Sequence, residues 1–186
     1  DVQRMQKSDL IIINGIGFEN WVDNLDETDY QGVIVDTSNG ILVRNFDQEQ
    51  INSSGDPHIW LNPVYAKIQV QNIANAFSNS DPDNQQYYQS NAAQYIEQLD
   101  LLDLKIRNKL SDCNQDFVAF HDAFSYFADE YNLNQHTIIS SNSPHGEATA
   151  KTLEEVISTS RELNIKVIFS EENVNTRTSE IIANEI

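Results

Sequence analysis

Two short segments of this chain carry side chains able to hold a divalent metal. His58 stands in Asp56-Pro57-His58-Ile59-Trp60-Leu61, and His121 in Phe120-His121-Asp122-Ala123-Phe124-Ser125-Tyr126-Phe127. Neutral imidazoles delivered by separate segments suit a borderline-soft divalent cation. Pro57 restricts Asp56 to extended geometry and stiffens the approach to His58. Trp60 and Leu61 are expected to anchor the segment in a core, which fits a site whose ligands must stand within tenths of an ångström. Taken singly, each histidine also reads as an ordinary hydrogen-bonded residue near a helix start, and the residues alone favour that plainer role.

The other candidates are weaker. Of the four histidines, His136 is expected on the surface, just before a strand. His145, in Ser143-Pro144-His145-Gly146-Glu147, is expected to face solvent, with an accessory cation contact as the alternative. Glu171 and Glu172 follow an apolar run, where a carboxylate serves as ligand, helix cap or structural acceptor; the structural role is the expected one. No Gly-x-Ser-x-Gly, His-Glu-x-x-His or phosphate-cradling glycine loop occurs, and Asn14-Gly15-Ile16-Gly17 lacks the third glycine of a dinucleotide turn.

The elements that must position these groups alternate. Asp9–Asn14, closed by Gly15 and Gly17, reads as a buried parallel strand, as do Gly32–Asp36, Phe117–Phe120 and Ile165–Phe169. His121 then falls at a strand's carboxyl end, where open parallel sheets bind ligands. Residues 1–8 read as the end of a helix, and further helices are expected over Glu19–Leu25, from Pro63 to Phe77 (Ala66, Val70, Ile73 and Ala74 on one side), over Ala123–Asn132 and over Thr152–Leu163. Residues 44–55 and 140–149 read as loops. The longest periodic stretch, Asn84–Leu110, places Tyr88, Ala92, Tyr95, Leu99, Leu102, Ile106 and Leu110 at steps of three and four. As a helix it would run roughly 40 Å, enough for the height of a two-lobed molecule. The pattern argues an α/β fold with parallel sheets.

Composition narrows the function. Eleven basic against 29 acidic residues give a net charge of −18, which repels nucleic acid and anionic lipid and weakly attracts cations. Cys113 is the single cysteine, so no internal disulfide forms; it is expected to be small and at least half-buried. No apolar run approaches the roughly 20 residues of a membrane span. The chain opens at Asp1 rather than Met and closes on a helical run, Glu180–Ile186, without a cap, so a fragment open at both ends is expected.

The chain resembles the zinc/manganese-type substrate-binding proteins of bacterial metal ABC transporters. The matching pieces run almost end to end: Lys7–Glu19; Asp56-Pro57-His58-Ile59-Trp60-Leu61-Asn62-Pro63; Ser80–Asn84 with Tyr87 and Asn91; Phe120–Phe127; Ser143–Glu147; and Phe169-Ser170-Glu171-Glu172-Asn173. The resemblance implies two lobes with parallel sheets joined by a long rigid backbone helix: residues 1–83 as the amino-terminal lobe, 84–112 as the connecting helix and 113–186 as a truncated carboxyl-terminal lobe. It implies one metal ion held between the lobes, with His58 and His121 as ligands and His145, Glu147 and Glu171 as possible accessory groups. A histidine at position 121 looks like the zinc branch, manganese-preferring relatives carrying glutamate there, so Zn²⁺ is the implied cargo and Mn²⁺ the lesser one. Two further ligands would lie upstream of Asp1 and beyond Ile186. The implied role is extracytoplasmic, periplasmic or cell-surface: capture of the ion and delivery to a membrane permease, without enzymatic turnover. Two rivals stand beside it. One is a metal-dependent hydrolase with zinc on His58 and His121 and Glu147 or Glu171 as general base. The other is a surface adhesin of the same family.

Overall fold

A computed structural model of the chain describes residues 2–24, 30–44, 55–139, 148–170 and 176–186. They comprise two compact units, Asp1–Leu104 and Lys105–Ile186. Among the described residues no helix is long and apolar enough to cross a membrane.

In the first unit a short helix, α1 (Val2–Met5), leads into β1 (Leu10–Ile13), which pairs in parallel with β2 (Val33–Asp36) in register Leu10 to Val33 through Ile13 to Asp36. β1 exits through Gly15, whose φ of +91 is a left-handed value; a Cβ there would stand 2.0 Å from Asp36 Oδ1. Glycine therefore permits both the turn and the close approach of β2. β2 is less enclosed than its apolar sequence suggests, since Val33 is exposed and the rest of the strand half-buried.

Of the helix expected over Glu19–Leu25, the described part, residues 19–24, instead forms single turns closed by three-residue hydrogen bonds (Val22 to Glu19, Asn24 to Trp21), with a 3₁₀ turn at Val22–Asn24. Glu19 is the cause. Its carboxylate accepts the backbone N–H groups of Asn14 and Gly15 at 2.9 and 3.1 Å, folding the segment back onto the strand exit. Leu25 and the polar run 45–54 lie outside the described residues.

His58–Leu61 forms a 3₁₀ turn, and Asn62 then caps α2 (Pro63–Ser80), its Oδ1 accepting the Val64 N–H at 2.8 Å with Pro63 at the tolerated first position. Asp81–Asn84 breaks the helix, and α3 (Gln85–Leu110) follows with 26 residues, about 39 Å. Its expected apolar stripe is only partly used: Ala92 and Leu99 are buried, while Tyr95 and Leu102 are exposed. α2 and α3 flank a small open apolar groove of about 260 Å³ between Val70, Ile73 and Phe77 on one helix and Tyr88, Ala92 and Tyr95 on the other. The boundary between the two units falls inside α3.

The second unit is built on a three-stranded parallel sheet in the order β4-β3-β5, from β3 (Asp116–His121), β4 (Asn134–Ile139) and β5 (Ile168–Phe169). α4 (Ser125–Tyr131) connects β3 to β4 and ends on Asn132 in the left-handed region; α5 (Ala150–Glu162) precedes β5, and α6 (Arg177–Glu185) follows. The core is Val118, Phe120, Ile138, Ile139, Val156, Ile165 and Ile182.

Four expectations change here. β4 starts on four polar or mixed residues, Asn134-Gln135-His136-Thr137, and so contains His136 rather than following it. His136 is half-buried, its Nε2 2.9 Å from Asp116 Oδ1 on the neighbouring strand, rather than a surface residue. β5 is two residues long, because the run begins with Ile165 packed into the core ahead of any strand pairing. Cys113 is exposed, in the turn after α3, where its Sγ donates to the Leu110 carbonyl.

Candidate metal centre

His58 is almost completely buried and Asp56 wholly so. One carboxylate oxygen, Asp56 Oδ1, stands 2.7 Å from His58 Nδ1 and 3.0 Å from the His58 backbone nitrogen. With the ring neutral, a carboxylate on Nδ1 places the proton there and leaves the lone pair on Nε2. This is the arrangement in which a histidine presents Nε2 to a metal while its other nitrogen is held from behind.

The anchor of the segment is Ile59, which is fully buried; Trp60 is partly exposed and Leu61 half-buried, where the sequence expectation had these two as the anchor. Successive residues of a 3₁₀ turn, three to the turn, cannot all face inward, and here His58 and Ile59 are the two that do. Trp60 instead lies edge-on to Phe18, ring centroids 5.2 Å apart, and 5.3 Å from the His58 ring.

The His58 segment is held at the carboxyl ends of β1 and β2. Asn14, the residue after β1, donates from Nδ2 to the Pro57 carbonyl at 2.9 Å. Thr37, the residue after β2, donates its hydroxyl to the Ile13 carbonyl at 2.8 Å. Gln69 of α2 touches both, its Nε2 donating to Asn14 Oδ1 at 3.1 Å and to Thr37 Oγ1 at 3.0 Å. Asn14, Thr37 and Gln69 were not singled out from sequence. Asn14 carries one signal in retrospect, being the first polar residue after a short apolar run; Thr37, which follows Asp36, and Gln69 carry none.

His121 is the last residue of β3, paired with Ile139, and is buried. The chain turns at once, the Ala123 N–H donating to the His121 carbonyl at 2.9 Å. Gln135 of β4 holds that turn from the side: its Nε2 donates to Asp122 Oδ1 at 2.6 Å and its Oε1 accepts the Phe124 N–H at 2.8 Å. Gln135 too was missed, because its role depends on β4 lying beside β3.

His58 belongs to the first unit and His121 to the second, each at the carboxyl end of a parallel sheet. His145, Glu147 and Glu171 lie outside the described residues. Among the described residues no group of three or more His, Cys, Asp or Glu side chains gathers closely enough to hold a metal ion.

The comparisons with known proteins agree with this architecture. The sequence profile of the family described as zinc-uptake complex component A, periplasmic, matches residues 1–186. The high-affinity zinc uptake system protein ZnuA of Bacillus subtilis (strain 168) is 34% identical over 199 residues, covering 100% of this chain and 62% of its own length. A crystal structure of ZnuA superposes with a TM-score of 0.87 at 30% identity, covering 98% of this chain and 71% of that one. The laminin-binding protein Lmb of Streptococcus agalactiae, described as a bifunctional protein with adhesin and metal transporting activity, superposes with a TM-score of 0.87 at 29% identity over 99% of this chain and 69% of its own. The chain belongs to the ZnuA family, with the α/β fold, parallel sheets and long helix of its solute-binding proteins. It spans about three fifths of the length of the Bacillus subtilis relative.

Proposed function

We propose that the protein containing this chain captures Zn²⁺ outside the cytoplasm and passes it to a membrane ABC permease, with His58 and His121 as two of the ligands. The observation that carries the reading is the buried Asp56–His58 pair: Asp56 Oδ1 holds Nδ1 from behind, an arrangement that in a metal-bound ring puts the proton on Nδ1 and makes Nε2 the ligating nitrogen. The second imidazole, at the end of β3, matches the same chemistry: two nitrogen ligands favour zinc over the harder manganese.

In this reading residues 1–83 and 113–186 are the two lobes and 84–112 the connecting helix. His145, Glu147 and Glu171 are accessory contacts to the cation. Zinc is cargo, and no covalent bond is made or broken in its transfer; protein groups saturate its coordination and a movement of the lobes releases it. The net charge of −18 favours approach of a cation, weakly at ordinary salt. Because only neutral imidazole binds metal, affinity falls as the medium is acidified.

The test is zinc titration of the chain against His58→Ala and His121→Ala, read by competition with a chelator. Each substitution should weaken binding by about tenfold or more, at least what is lost when a group behind a ligand is removed. Wild-type affinity in both variants would end the ligand assignment. Turnover of an ester, amide or phosphoester in the presence of zinc would favour the hydrolase instead. Retention of laminin by the metal-free chain would support the adhesin role that Lmb combines with metal transport.

A further inference from the structure

We propose that Gln69, on α2, is a positioning residue for His58, acting through Asn14; this rests on the reading of His58 as a zinc ligand. The peptide unit between Pro57 and His58 is held at both ends. Its carbonyl accepts from Asn14 Nδ2 at 2.9 Å and from the Ile59 N–H at 2.8 Å, and its N–H donates to Asp56 Oδ1 at 3.0 Å. That plane sets the direction in which the His58 Cα–Cβ bond leaves the backbone.

The direction of every hydrogen bond leading to this peptide is determined by chemistry. The Ile13 carbonyl can only accept, so the Thr37 hydroxyl donates to it. The hydroxyl oxygen must then accept from Gln69, which turns the NH₂ of Gln69 rather than its carbonyl toward Thr37 and Asn14. Asn14 accordingly presents Oδ1 to Gln69 and Nδ2 to the Pro57 carbonyl. An asparagine amide can exchange its oxygen and nitrogen by a half-turn, and only one of the two orientations donates to Pro57. Gln69 selects it. The Asn14 N–H, bound by Glu19, keeps the backbone of that residue in place meanwhile. A side chain on α2, 55 positions along the chain from Asn14, thus governs a peptide a further link away.

Gln69→Glu tests the relay with no change of volume. A carboxylate cannot donate, so Asn14 turns its NH₂ toward residue 69 and withdraws it from Pro57. In the metal-free 186-residue chain the ring ¹⁵N resonances of His58 should move or broaden while those of His121 stay. Zinc affinity, by chelator competition, should fall about tenfold, as expected for loss of a group behind a ligand. Because Gln69 acts through Asn14, Gln69→Glu combined with Asn14→Ala should lose no more than Asn14→Ala alone.

Unchanged His58 resonances in Gln69→Glu, or a double-variant loss equal to the product of the single losses, would overturn the proposal. If Gln69→Glu does not fold, Thr37→Val, which removes the hydroxyl that orients Gln69, should give the same His58 signature, and Thr37→Ser should restore it; a Thr37→Val spectrum like wild type would equally overturn the relay. If zinc leaves the His58 resonances of the wild-type chain unmoved, the ligand role fails instead, and the metal-free spectra still decide whether Gln69 positions the ring.

Discussion

Asp56 Oδ1 accepts two hydrogens from a single residue, the backbone N–H and the ring Nδ1–H of His58. One buried oxygen therefore fixes both the backbone and the rotamer of the candidate ligand. Asp56→Asn keeps the shape and an acceptor oxygen but removes the charge that makes Nε2 a better donor. Zinc affinity should fall about 10–100-fold, measured by chelator competition at constant pH. Binding within about twofold of wild type would show that the carboxylate does not support a metal-binding imidazole.

Ile59 rather than Trp60 carries the anchoring of this segment. Ile59 is 0% exposed and Trp60 39%. Ile59→Ala should cost about 2–5 kcal/mol of stability, through lost burial and the cavity left behind. Trp60→Ala should cost less, since much of its ring already faces water. Urea unfolding of the two variants gives the order, and a larger loss in Trp60→Ala would return the anchor to the tryptophan.

Gln135→Leu should loosen the turn that follows His121. It strips partners from the Asp122 carboxylate and the Phe124 N–H, each bond contributing about 0.5–1.5 kcal/mol, more where the carboxylate is charged. The expected result is lower stability together with weaker zinc binding. Lower stability with unchanged binding would confine Gln135 to the fold.

The turn between α2 and α3 carries a pH dependence of known sign. Hydrogen bonds from the Asn84 amide first, and the Tyr88 hydroxyl second, hold the Asp81 carboxyl below its ordinary value of 3.8. The unfolded chain therefore takes up this proton more readily than the folded one. The stabilisation is complete above pH 3.8 and is lost as the pH falls through the lower folded value. Tyr88, held above its ordinary 10.0 chiefly by the same bond to Asp81, acts in the opposite sense: its contribution is complete below pH 10.0 and is lost above it. Thermal unfolding across the acid range should show a shallower pH slope in Asn84→Ala than in wild type, with Tyr88→Phe between them. Identical slopes in all three would remove Asp81 from the acid response.

The legible part of this protein was the part written in neighbours along the chain. Apolar runs marked β1 and β3, the three-to-four periodicity marked α2 and α3, and the position of His121 at a parallel strand's carboxyl end followed from the run that precedes it. The Asp-Pro-His-x-Trp-Leu segment, read with the other matching pieces, suggested a family, and that family is the one the chain belongs to.

What tertiary structure decided was partnership. β4 begins on polar residues and is a strand because β3 lies beside it, Asp116 opposite Asn134; the same pairing turns His136 inward and brings Gln135 to the His121 turn. Glu19 forgoes a helix because two backbone N–H groups at the end of β1 need an acceptor. Asn14 meets Pro57 across 43 positions and Gln69 across 55. Periodicity and propensity are properties of a few consecutive residues, whereas a hydrogen bond between distant ones exists only once packing has brought a donor and an acceptor together and excluded the water that would otherwise bind both.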